Sequence, residues 1–358
     1  MVIIVDKSIN QDSLNVINRI GDKIKLFDNS TILITGCFGF LGKQFLHFFC
    51  NLVDMYQMKI KIIAVDNLIR DTENDLISFF TKKTYFTFVE SNINTQKEFY
   101  EADYVIHLAS IASPIFYRKY PIETLDANVT GYRNLLEYYK DKELKSFLYF
   151  STSEIYGDPL PEFIPTKETY RGNVSCTGPR ACYDESKRLG ETLSVLFSNQ
   201  YQMPIKISRP FNNYGPGLSL NDKRVIPDFF NDILNRKDIT LYSDGNATRT
   251  FCYTEDAIYG YILLLLSEYN AEPFNIGNDN PEISIIDLAQ KCIEVSNSKN
   301  TKIIKANNKN KNYTIDNPQR RCPNISKAKK LLNFNPEISI IDGLKRTFIY
   351  YSEQFPNG

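Results

Sequence analysis
Residues 31–42 read TILITGCFGFLG. A β-branched apolar run stops at Gly36, and an apolar stretch, KQFLHFF (43–49), begins just past Gly42. The run has the length and composition of a strand buried on both faces. The stretch after the glycines reads as a helix. Glycines at 36, 39 and 42 permit a tight turn between the two. They also let a pyrophosphate approach the backbone at the helix N-terminus, where the N–H groups lack partners within the helix. A glycine trio is weak alone. KIIAVDN (61–67) strengthens it, as a second strand-like run that reaches Asp66, 24 residues beyond Gly42. A carboxylate there suits the 2′-hydroxyl of an adenosine ribose and repels a 2′-phosphate, so the pattern predicts NAD rather than NADP.

Strand-like runs continue at TYFTFVE (84–90), DYVIHLA (103–109), SFLYFST (146–152) and PIKISRP (204–210). Helical stretches lie between them, among them Ile122 to Tyr139. This alternation predicts an α/β fold, a Rossmann-type doubly wound parallel sheet with ligands at the carboxyl ends of its strands. HLAS (107–110), STSE (151–154) and RPFNNYG (209–215) fall at such ends. His107 is expected to be a packed strand-end residue. An N-terminal extension occupies 1–30, and its SLNVINRIGDKIKLF reads as a helix packed on the body or on a partner. The NAD-binding domain is expected over 31–208, with 251–269 returning to it. A smaller C-terminal α/β substrate domain takes 209–250 and 270–358, with the site in the cleft between the two.

Bulk composition excludes several classes. The 358 residues are 42% hydrophobic and 23% charged, the profile of a soluble globular protein. Lys+Arg and Asp+Glu both number 42, so no net charge draws the chain to nucleic acid. No segment reads as a membrane span or a secretory signal, so no membrane partner is expected. The seven cysteines are scattered, with no CxxC pair, which fits reduced thiols in a cytoplasmic protein. With two histidines, no metal site is expected.

GPRACYDESK (178–187) carries the chemistry. Tyr183 and Lys187 are four apart and share a face if the segment is helical. A phenol is a poor base at neutral pH, and a nearby ammonium is expected to lower its pKa. Tyr183 could then take a proton from a substrate hydroxyl while a nicotinamide accepts hydride from the same carbon.

TGCFGFLG, HLAS, STSEIYGDP, YDESK and RPFNNYGP, in this order, resemble the extended short-chain dehydrogenase/reductase superfamily, whose members modify nucleotide sugars with a bound NAD. The resemblance runs from about Ser30 to about Tyr351. Within it, GPRACYDESK is similar to the GPRACYDEGKR of UDP-glucuronate decarboxylases, and NPQRRCPNISKAKKLLNFNP (317–336) to their C-terminal motif. LNDKRVIPDFF resembles their MNDGRVVSNF. Ser186 departs from the usual glycine. HLASIASPIFY is less proline-rich than the family loop, and SNI (91–93) lacks the usual aspartate. Cofactor contacts are implied at Gly36, Gly39, Phe40, Leu41, Gly42, Asp66, Asn67, Asn92, Ile93, Leu108, Ala109, Ser110 and Asn128, besides Tyr183 and Lys187.

The implied reaction oxidises C4 of UDP-glucuronate, releases CO2 and restores the hydride to give UDP-xylose. Thr152, Ser153, Glu154, Tyr183 and Lys187 are the implied catalytic set. Arg209, Asn212, Arg224, Arg249 and Arg321 are the implied substrate contacts, with Arg320 behind them. A planar guanidinium suits both a diphosphate and a carboxylate. A 4,6-dehydratase would carry Asp-Glu where this chain has Ser153-Glu154. A 4-epimerase and a catalytically idle NAD-binding scaffold are the other readings. The resemblance also implies a homodimer built on the YDESK helix.

Overall fold
The computed structural model describes residues 7–69, 74–96, 99–306 and 318–354. Positions 1–6 of the extension, and 307–317 and 355–358 of the expected substrate domain, lie outside the described residues.

Six strands arise where the apolar runs predict them. They are β1 (Ser30–Thr35), β2 (Ile60–Asp66), β3 (Phe86–Glu90), β4 (Tyr104–His107), β5 (Ser146–Phe150) and β6 (Ile205–Pro210). With the strand Pro273–Ile276 they make a seven-stranded parallel sheet, in the order Pro273–Ile276, β6, β5, β4, β1, β2, β3. β1 lies between β2 and β4, so the winding direction reverses there. The crevice above that reversal is where such sheets bind ligands. The strand Pro273–Ile276 falls in the expected substrate domain, yet it pairs with β6 at the sheet edge. Four residues carry too little pattern to reveal that pairing in advance.

The helix Phe40–Asp54 follows the glycine turn and buries Phe45, Leu46, Phe48, Phe49 and Leu52. It is apolar on nearly every side because it is covered on nearly every side. The N-terminal helix Lys7–Ile20 and the helix Thr254–Leu265 both pack against it. The extension therefore packs on the body. Its 3-10 continuation, Gly21–Phe27, sets Phe27 against Phe48, Phe49 and Tyr104. Polar contacts fix it further: Arg19 meets Asp256 at 2.7 Å, and Asp12 accepts from the Tyr253 hydroxyl at 2.7 Å.

A separate apolar cluster forms the C-terminal part. It gathers Ile226, Phe230 and Ile239 with Leu288, Leu344 and Tyr351. Among the described residues no helix is long and apolar enough to cross a membrane, and no His, Cys, Asp and Glu group could hold a metal ion.

Candidate active site
The glycine turn is shaped by contact. Gly36 has φ +68°, and a Cβ there would lie 2.7 Å from the Ala109 nitrogen. Its own N–H donates to the Val65 carbonyl at 2.8 Å, which ties the turn to β2. Gly39 caps the helix Phe40–Asp54 with extended backbone and no side-chain hydrogen bond. The first turn of that helix carries no acid. Its N–H groups and dipole therefore favour an anion. Gly36, Gly39, Phe40, Leu41 and Gly42 all line a cavity of about 560 Å³. A dinucleotide's pyrophosphate fits this cradle, whose tight turn a side chain at Gly36 or Gly42 would force apart.

Asp66 ends β2 and accepts from the Phe38 N–H at 2.9 Å and the Leu68 N–H at 3.0 Å. Burial pushes its pKa up, against the pull of those donors. Asn67 accepts from the Ile69 N–H, and Asn92 from the Asn94 N–H, so both side chains brace their own loops. Ile93 is buried in the core beside β2 and β4. Leu108 and Ser110 line the cavity, while the Ala109 backbone abuts Gly36. His107 is a packed residue: its Nδ1 pairs with Thr35 at 2.8 Å, its ring stacks on Tyr132, and burial keeps it neutral.

Tyr183 and Lys187 share one face of the helix Ala181–Tyr201, and both line the cavity. Lys187 Nζ donates to the Phe150 carbonyl at 2.8 Å and lies 5.9 Å from the Tyr183 ring centre. The expected lowering of the phenol's pKa by this ammonium is corrected here. Burial pushes Tyr183 up to about 12, with the Thr152 hydroxyl opposing. Burial also pushes Lys187 down to about 7. The chain alone therefore holds a neutral phenol, because both groups are sealed from solvent. Thr152 Oγ accepts the Glu154 N–H at 3.2 Å, which leaves its own proton for Tyr183. The ring of Tyr117 stacks on Tyr183 with centres 5.2 Å apart. Asn128 sits in a π-helical turn, Ala127–Gly131, and donates to Ser186 at 2.9 Å. Ser186 in turn donates to the Tyr183 carbonyl at 3.0 Å. The serine that departs from the family pattern thus links Asn128 to the helix carrying Tyr183.

β5 ends in a short 3-10 turn, Ser153–Tyr156, which sets Ser153 and Glu154 on the cavity wall. Glu154 pairs with Arg180 and with Arg321, the latter at 2.5 Å. Burial pushes Glu154's pKa up, but the guanidiniums of Arg180, Arg321 and Arg249 outweigh it and hold the carboxyl below its ordinary range. Arg249 donates to the carbonyls of Thr248, Gln319 and Pro318, and burial pushes its pKa down to about 9. Asn212 and Arg224 also line the cavity, with Arg224 held by Asp222 at 3.0 Å. Arg209 stands apart from that lining. Its guanidinium is taken up by Glu191, the Tyr156 hydroxyl and the Glu168 carbonyl. Arg320 likewise forms a two-point pair with Glu282. Arg180 is the charged residue that sequence reasoning did not single out. Its only signal was a place in the GPRACY lead-in.

A glycine cradle, an acid at the end of β2 and a buried Tyr–Lys pair form one constellation. Residues 32–277 match the model of the NAD dependent epimerase/dehydratase family. The chain belongs to that family. NAD is its cofactor. Among curated proteins it is 36% identical to UDP-glucuronic acid decarboxylase 6 of Arabidopsis thaliana, over 88% of this chain and 87% of that one. It is 34% identical to UDP-glucuronic acid decarboxylase 1 of Danio rerio, over 91% and 74%. Among solved structures, the UDP-glucuronic acid 4-epimerase of Bacillus cereus, in complex with UDP-glucuronic acid and NAD, superposes with a TM-score of 0.74 at 26% identity, covering 90% of this chain and 99% of that one. The dTDP-glucose 4,6-dehydratase DesIV of Streptomyces venezuelae shares the fold, with a TM-score of 0.79 at 22% identity over 91% and 98%.

Proposed function
We propose that this family member is a UDP-glucuronate decarboxylase that forms UDP-xylose. The observation that carries the reading is the charge balance around Glu154. Three buried guanidiniums, Arg180, Arg249 and Arg321, face that one carboxylate. A second carboxylate, on the sugar, offsets part of the positive charge that Glu154 leaves unpaired.

Bound NAD supplies the chemistry of accepting a hydride from C4 and later returning it. Tyr183 takes the proton of the sugar 4-hydroxyl. Thr152 donates to the oxygen as negative charge develops. Lys187 stabilises the Tyr183 phenolate that accepts this proton, and the phenol is neutral again once the proton has moved. Oxidation makes the C6 carboxylate a β-keto acid. CO2 then leaves with its bonding electrons shared into an enolate, and Ser153, Glu154 and Arg321 hold the carboxylate side. A proton enters at C5, Tyr183 returns its proton to the 4-oxygen, and the net reaction consumes one proton. Arg224 and Asn212 attract the diphosphate. We further assign residues 31–208, with 251–269, to cofactor binding, and most of the remainder to the nucleotide sugar. A cytoplasmic homodimer completes the reading.

The 4-epimerase is the second reading, favoured by the 26% identical neighbour with UDP-glucuronic acid bound. Against a dehydratase stands Ser153, which offers no acid where an elimination requires one. Proton NMR of UDP-glucuronate with enzyme and NAD decides between them, with CO2 measured in parallel. UDP-xylose with equal CO2 is expected. UDP-galacturonate without CO2 would replace the decarboxylase with the epimerase.

A further inference from the structure
Arg180 carries two carboxyls. One end of its guanidinium meets Glu154 on the cavity wall. Its Nε lies 3.4 Å from Oδ2 of Asp184, the residue after Tyr183. Asp184 is 4% exposed, and its Oδ1 is buried with no hydrogen-bond partner among the described residues. Glu154 and Arg321 face it from across the cluster, and Tyr117 from the neighbouring helix Pro114–Lys119. Arg180, Cys182 and Tyr183 face it from its own helix. The two carboxyls on Arg180 are driven apart. Glu154 is held down by its guanidiniums. Burial first, and then the charge of Glu154, raise Asp184 to about 7. Paired carboxyls pushed in opposite directions take opposite protonation states.

We propose that Asp184 is a positioning residue that works protonated, leaving Arg180 committed to Glu154 and the cavity one charge more positive for a sugar carboxylate. Ionised Asp184 competes for Arg180 and cancels positive charge beside the cavity. This inference rests on the UDP-glucuronate reading. By linkage, an arriving carboxylate tightens Asp184's hold on its proton, so binding draws a proton from solvent.

The test compares wild type with Asp184→Asn from about pH 6 to about pH 8.5. In wild type, KM for UDP-glucuronate is expected to rise above neutrality, by up to about tenfold per pH unit. In Asp184→Asn, the rise in KM is expected to be clearly shallower than in wild type. Lys187 titrates in the same range and Arg249 above it, but both are present in each protein, so the difference between them isolates Asp184. A second measurement needs no change at Asp184. Calorimetry in the turnover-blocked Tyr183→Phe background, in buffers of different ionisation enthalpy, counts protons taken up on binding. Uptake is expected with UDP-glucuronate and not with UDP-glucose. A KM rise as steep in Asp184→Asn as in wild type, or equal proton uptake for the two sugars, overturns the proposal. A wild type that neither converts nor binds UDP-glucuronate at any pH brings down the functional reading, and this inference with it.

Discussion

At Lys187 an amine is held where solvent does not reach, 3% exposed with one carbonyl partner. Its pKa falls from 10.5 to about 7 through burial. Between those values the folded chain binds fewer protons than the unfolded one, so this group's contribution to stability rises with pH through that window and is lowest below about 7. Lys187→Met is therefore expected to abolish turnover while raising the unfolding midpoint. The gain is about 1–3 kcal/mol after the Phe150 carbonyl loses its donor, and is largest on the acid side. Urea melts at about pH 6 and about pH 9 check both size and direction. A variant less stable at both would show that the Phe150 hydrogen bond outweighs desolvation. Tyr183→Phe leaves the Tyr117 stack intact and removes only the proton carrier. Turnover should fall by about 10²–10⁴-fold with NAD still bound, and normal turnover would remove Tyr183 from the mechanism. The four-residue spacing of this pair was legible because a helix converts it into one face. The rise in the phenol's pKa was not, because depth of burial is a property of what packs above the helix.

Elements differed in how openly the sequence announced them. β1 and β2 are continuous apolar runs with a glycine or an acid at the end, and such runs show themselves without their partners. The two-residue strand Arg320–Arg321 and the strand Pro273–Ile276 do not, since each exists only through its neighbour. Arg180 was obscured in the same way: its role depends on Glu154 and Asp184 meeting from different elements. The glycine turn is the element whose tolerance is easiest to state. At Gly36, φ +68° and backbone atoms of residue 109 within 2.8 Å leave no room for a methyl group. Gly36→Ala is expected to lose co-purifying NAD and to melt earlier, and retention of stoichiometric NAD would separate the turn from cofactor binding. The N-terminal helix makes a different prediction. Arg19 bridges to Asp256, which is 1% exposed and also receives the N–H groups of Glu337 and Ile338. Arg19→Ala should destabilise by about 2–3 kcal/mol in urea, because it leaves a buried carboxylate with less countercharge. No change would mean that the Arg19–Asp256 pair adds nothing to the docking that Ile9, Val16, Phe27 and the Asp12–Tyr253 hydrogen bond supply.

For the whole molecule, the open question is which surface is covered in solution. The helix Ala181–Tyr201 buries Tyr183, Lys187 and Ser194 on one side, yet leaves Leu196 57% exposed on the other. Leu189 is exposed seven residues earlier, on the same face. The adjoining helix Pro121–Asp126 packs beside it and exposes Ile122 and Leu125. Exposed apolar side chains on two adjoining helices suit an association surface. On the homodimer reading a second copy would cover it with two-fold symmetry, because identical helices can pack their leucines against one another. Leu196→Glu combined with Ile122→Glu would bury like charges against each other. The expected outcome in light scattering is a dimeric wild type and a monomeric variant. Activity supplies the independent readout. The helix that loses its cover is the one that holds Tyr183 and Lys187, so the monomer should keep its cavity but turn over several-fold more slowly. A monomer with full activity would separate catalysis from assembly. A variant that remains dimeric would move the interface to another face.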